Sequence, residues 1–155
     1  KVMPDESTLV PERRKELTTE GGLDVRGSFN RIKDAVKKLK DRGIVVSLFV
    51  DPEKSAVDYS KKTGADFIEL HTGTYANAKN EPIRRRELDK LKKMTEYAKS
   101  LGLGVNAGHG LNYYNARDVA KIAGIEELNI GHSIIAKAVF TGLGKAVGEM
   151  IEYIR

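Results

Sequence analysis

The sequence has no cysteine. That excludes a disulfide framework and any thiolate-bound metal, and it is compatible with a reducing cytoplasm. No apolar run approaches the roughly 18 residues that a membrane-spanning helix needs. No charged start followed by an apolar stretch and a small-residue cleavage site marks a signal peptide. The expectation is a cytoplasmic protein with no membrane partner. Aromatic residues make up only 6% of the chain. Few of them stand among the basic residues, which argues against a stacking platform for single-stranded nucleic acid. There is no Gly-x-Ser-x-Gly elbow to present a nucleophilic serine. No Gly-x-Gly-x-x-Gly opens a helix after the first strand, so a dinucleotide fold has no fingerprint here. The chain starts at Lys1 rather than Met, which reads as a processed, trimmed or partial chain.

What is present suits one globular domain spanning residues 1–155. The chain is 40% hydrophobic and 32% charged, and its length is enough for a core. The net charge is +5. The basic excess lies in residues 31–40, 84–86 and 90–93, all within predicted helices. The plain reading is solvated helix faces; the alternative is attraction of anionic substrates or nucleic acid.

Strand and helix patterns alternate along the chain. Residues 7–10 form a short strand ended by Pro11. Ser28 caps a helix to about Asp41, with Ile32, Ala35, Val36 and Leu39 at helical spacing, and Gly43 ends it. Residues 44–50 are nearly all apolar, as in a strand covered on both faces. A helix from Pro52 closes at Gly64. A strand over 66–71 leads into a loop, and a long charged helix follows over 82–100. A strand over 103–106, a helix over 115–122, a strand over 127–130 and one final helix to about Tyr153 complete the order. Five strand–helix units of roughly thirty residues imply a parallel α/β sheet with right-handed crossovers. Both an open doubly wound sheet and part of a (β/α)₈ barrel fit. A whole barrel takes eight units and about 250 residues.

In either architecture ligands bind at the carboxyl ends of the strands. The polar residues expected there are Ser47 and Asp51, then Glu69, His71 and Thr72, then Asn106 and His109, then Asn129 and His132. All three histidines fall at or just beyond strand ends. Side chains alternate along a strand, so Phe67, Glu69 and His71 share one face and Ile68 and Leu70 the other. A buried carboxylate costs several kcal/mol unless it is paired or hydrogen-bonded. Glu69 is therefore expected either as a site residue or as a carboxylate satisfied by its surroundings. His109 stands between two glycines in Ala107-Gly-His-Gly110, a turn suited to close approach by a ligand. Gly131-His132-Ser133 opens a helix whose free amides favour an anion. Gly108-His109-Gly110 and Gly131-His132-Ser133 together make a candidate phosphate cradle. A zinc site built from Glu69, His71, His109 and His132 is the less natural alternative for glycine-rich turns.

The sequence resembles the pyridoxine 5′-phosphate synthase family. The resemblance rests on Leu9-Val-Pro-Glu-Arg, Glu16-Leu-Thr-Thr-Glu-Gly-Gly-Leu-Asp-Val25, Val46-Ser-Leu-Phe-Val-Asp51, Ile68-Glu-Leu-His-Thr-Gly73, Val105-Asn-Ala-Gly-His-Gly-Leu-Asn112 and Glu127-Leu-Asn-Ile-Gly-His-Ser-Ile-Ile135. It implies a (β/α)₈ TIM barrel of which this chain supplies strands four to eight, lacking the first three βα units. It implies the condensation of 1-deoxy-D-xylulose 5-phosphate with 3-amino-2-oxopropyl phosphate, releasing phosphate and water, with no metal or organic cofactor. His109 would be a proton donor and Glu69 a transition-state stabiliser. Thr18 would contact the pentulose phosphate from a loop that closes over the site. Gly110, Gly131 and His132 would hold the aminoketone phosphate. The resemblance also implies a homo-oligomer, an octamer built from dimers. The family's general bases lie in the units this chain lacks, so the chain alone is expected to be inactive. A non-catalytic phosphate-binding half-barrel that assembles with another chain is the alternative.

Overall fold

The computed structural model describes residues 3–11 and 21–155. Five strands form one parallel sheet in chain order: β1 (Glu6–Leu9), β2 (Val45–Val50), β3 (Phe67–His71), β4 (Gly104–Gly108) and β5 (Glu127–Asn129). Helices α1 (Phe29–Lys40), α2 (Lys54–Thr63), α4 (Glu81–Ser100) and α5 (Ala116–Ala120) fill the crossovers. A four-residue helix, α3 (Gly73–Ala76), occupies the stretch after β3 that the sequence pattern leaves as a loop.

The alternation of side chains sorts the sheet into two faces. On one face Val46, Leu48, Val50, Ile68, Leu70, Val105 and Ala107 are buried in a single apolar cluster with Val36, Val57, Leu91 and Val119 from the helices. The opposite face is polar. The register pairs Ser47 with Phe67, Phe49 with Glu69, Glu69 with Asn106, and Asn106 with Glu127. The sheet curls into a half-barrel around this polar face. Glu6 on one edge strand lies close enough to Glu127 on the other that their repulsion adds to burial in pushing the Glu6 carboxyl up. Phe67 closes the end of the polar face that lies away from the strand tips. Its ring covers Gly104, where a Cβ would sit 2.1 Å from a ring carbon.

The predicted final helix is two helices, α6 (His132–Thr141) and α7 (Leu143–Ile154). The break is at Gly142, whose φ of +81° cannot continue a right-handed helix. The two helices leave Ile135, Val139, Phe140, Leu143, Val147 and Ile151 on the surface, with Phe140 90% exposed. Among the described residues no helix is long and apolar enough to cross a membrane.

Candidate active site

The carboxyl ends of β3, β4 and β5 bring the predicted polar residues together. Glu69 and His71 are buried on β3, at 8% exposure each. Gly108 ends β4 on the same face, and its missing side chain is what admits Glu69: a Cβ there would lie 2.1 Å from Glu69 Oε1. Burial pushes the Glu69 carboxyl up, opposed by a hydrogen bond from the Asn129 side chain at the end of β5.

His109 follows directly after β4 with φ +81°, the only non-glycine residue at positive φ among those described. This conformation is unusual for a residue with a Cβ and marks a held position. Thr72 holds it. The Thr72 amide donates to the Gly108 carbonyl at 2.9 Å, and its hydroxyl lies 2.8 Å from Gly108 O and 2.6 Å from His109 O. Partial burial lowers the His109 imidazole below its ordinary value, and the neighbouring His71 adds to this.

Glu69, His109, Gly110, Asn129, Gly131, His132 and Ser133 line one cavity of about 520 Å³. The start of α6 forms part of its wall. No side chain caps this helix; the Ser133 hydroxyl instead donates to the Leu111 carbonyl at 2.9 Å. α6 shares the missing cap with every described helix but α4, where the Asn80 side chain accepts from the Ile83 amide at 3.0 Å. The start of α6 thus lines the cavity with no side-chain cap, an arrangement suited to an anion. Among the described residues no group of three or more His, Asp or Glu side chains could hold a metal ion, so Glu69, His71, His109 and His132 do not form a ligand set. Thr18 lies outside the described residues.

The model for the family described as pyridoxal phosphate biosynthesis protein PdxJ matches residues 1–155. The chain belongs to the PdxJ family. It is 56% identical over 154 residues to the pyridoxine 5′-phosphate synthase of Geobacter sulfurreducens, a match covering 99% of this chain and 64% of that protein. The synthase of Geotalea uraniireducens is 54% identical, with the same coverage of both. That of a Synechococcus strain is 56% identical over 149 residues, covering 96% of this chain and 62% of its own length. The chain thus spans about 64% of the length of the curated relatives it matches.

The cavity residues from Glu69 to Ser133 meet in one place although they are spread over some sixty residues of sequence. Asp51 and Thr72 are among the polar residues expected at the strand ends, but neither their contacts nor the part played by Phe49 is read from the sequence. Phe49 lines the cavity, with its ring centroid 5.1 Å from that of His71 and 6.4 Å from that of His109. In the sequence it is one apolar residue in an apolar run. Thr72 clamps the His109 turn through contacts 36 and 37 residues away in sequence. Asp51 Oδ1 lies 2.9 Å from His71 Nδ1. The strand register could have found this last pair, since Val50 stands opposite Leu70 and one step onward sets Asp51 beside His71.

Proposed function

We propose that this chain carries the phosphate cradle and the proton-transfer histidine of a pyridoxine 5′-phosphate synthase. The observation that carries the reading is the shared cavity: an uncapped helix start, two glycine turns, a buried carboxylate and an imidazole on one wall. The reaction joins 1-deoxy-D-xylulose 5-phosphate and 3-amino-2-oxopropyl phosphate to give pyridoxine 5′-phosphate, phosphate and water. Gly110, Gly131 and His132 hold the aminoketone phosphate, which the amides at the α6 start suit. Thr18 contacts the pentulose phosphate. His109 donates protons as the imine forms, phosphate leaves and the ring closes. Its lowered imidazole makes it a stronger acid when protonated. Glu69 stabilises the positive charge that develops as the amine becomes an iminium. The chemistry calls for no metal and no organic cofactor.

In the same reading residues 1–155 are one domain, βα units four to eight of an eightfold barrel. Among the described residues the edge strands β1 and β5 are each paired on one side only, which suits a sheet that further strands complete. The complete enzyme works in the cytoplasm as a homo-oligomer, an octamer by family likeness, and takes neither nucleic acid nor membrane as partner.

Product formation from the two substrates tests the reading. The chain extended to the length of its relatives makes pyridoxine 5′-phosphate, and the 155-residue chain alone does not. No product from the extended chain overturns the synthase reading. Product at the full rate from the short chain overturns its inactivity.

A further inference from the structure

We propose that Asp51 and His71 are positioning residues for His109: the carboxylate fixes the His71 ring, and that ring, with Phe49, fixes the His109 imidazole at the cavity wall. The proposal rests on the reading of His109 as the proton-transfer group.

The first support is the hydrogen bond between Asp51 and His71. Asp51 Oδ1 and His71 Nδ1 are 2.9 Å apart, with Asp51 47% exposed and His71 8%. This bond is the leading reason that the Asp51 carboxyl is held below the usual range, helped by the Gly22 amide and by Lys90. Asp51 is therefore a carboxylate at neutral pH and can only accept. The proton in the contact belongs to Nδ1, which makes Nε2 the other ring nitrogen of a fixed tautomer. Nε2 is buried and has no hydrogen-bond partner among the described residues. A ring whose one anchored nitrogen sets its orientation has no second polar contact to pull it elsewhere.

The second support is how the two imidazoles meet. The His71 and His109 ring centroids are 4.9 Å apart with the rings tilted 65°. Both rings crowd the bare Cα of Gly73. A Cβ there would lie 2.5 Å from His71 Nε2 and 3.1 Å from His109 Cδ2. Thr72 holds only the backbone of His109. Among the described residues the aromatic rings nearest the His109 ring are those of His71 and Phe49. The charged groups among the described residues that face the pair are Asp51 beyond the end of β2, Glu69 on β3 and Lys90 on α4, with Lys79 lining the hollow beside both histidines.

Long-range proton–nitrogen NMR of the imidazoles, followed with pH on this chain, tests the proposal. With three histidines in the chain, single substitutions assign the signals. In the unsubstituted chain His71 carries its proton on Nδ1. Asp51→Asn mixes its tautomers, because an amide both donates and accepts, and Asp51→Glu restores the single form. His71→Gln moves the His109 titration upward, since a neighbouring ring that can carry positive charge is gone. A neutral His71 ring with its proton on Nε2 in the unsubstituted chain overturns the proposal, and so does a His109 titration that His71→Gln leaves in place. The tautomer is read in the unsubstituted chain and assigned by substituting His109 and His132, so an Asp51 or His71 variant that fails to fold does not remove the test. No substrate takes part, so a failure here is distinct from a failure of the synthase reading, which the product assay decides.

Discussion

Asparagine in place of His109 lowers kcat for pyridoxine 5′-phosphate formation by about 10²–10⁴-fold, the share of a rate that a positioned acid–base group carries. The change in KM is smaller, because the proposed phosphate cradle is backbone at Gly110 and Gly131. Asparagine is the informative replacement for a conformational reason. The position has φ +81°, and asparagine tolerates this left-handed region better than most residues with a Cβ. The clamp from Thr72 reaches the His109 carbonyl and not the ring, so the turn survives the exchange. The substitution therefore removes the imidazole and leaves the loop. Steady-state kinetics on the chain extended to its relatives' length reads the effect, with circular dichroism confirming an unchanged fold. A kcat within threefold of the parent would remove His109 from the proton-transfer role.

Glutamine in place of Glu69 lowers kcat by about 10²–10³-fold, as expected for an electrostatic group aimed at developing charge, and raises stability at neutral pH. The two effects have one cause. Burial pushes the Glu69 carboxyl above its ordinary value, so the folded protein prefers the protonated form more than the unfolded chain does. The stability that this protonated carboxyl contributes is complete below the unfolded value, near pH 4.3. It is lost as the pH rises through the folded value. An amide has nothing to ionise, so the glutamine variant does not suffer the loss. Thermal unfolding should therefore show the variant more stable than the parent at pH 7, with the gap closing in acid. A variant less stable at pH 7 would mean that the carboxylate is satisfied by its surroundings. Glu69 would then be held for structure, not for chemistry.

The strands were legible because both of their faces are covered in different ways. The run ending in Val50 and the alternation in Phe67–His71 each gave a strand within a residue of its bounds. The same alternation put Glu69 and His71 on one face, where the structure has them. The break at Gly142 was missed because Leu143, Val147 and Ile151 continue an apolar pattern past it. Only the backbone angle distinguishes this glycine from one that a helix tolerates. The Asp51–His71 pair was missed for a different reason. Asp51 reads as a polar residue at the carboxyl end of β2, before a proline that opens a helix, and nothing local names its partner. Its partner is twenty residues away and becomes visible only when the parallel register of β2 and β3 is drawn. The Thr18 contact lies outside the described residues.

The central claim is that the turns after β4 and β5 form a phosphate site. Crystals of this chain soaked in inorganic phosphate test it most directly. The anion is expected at the start of α6, held by amides of Gly131, His132 and Ser133 and by the Gly110 turn, within reach of His109. A phosphate bound instead over Arg85, Arg86, Lys90 and Lys93 on α4, where a second hollow lies, with the turns left empty, would contradict it.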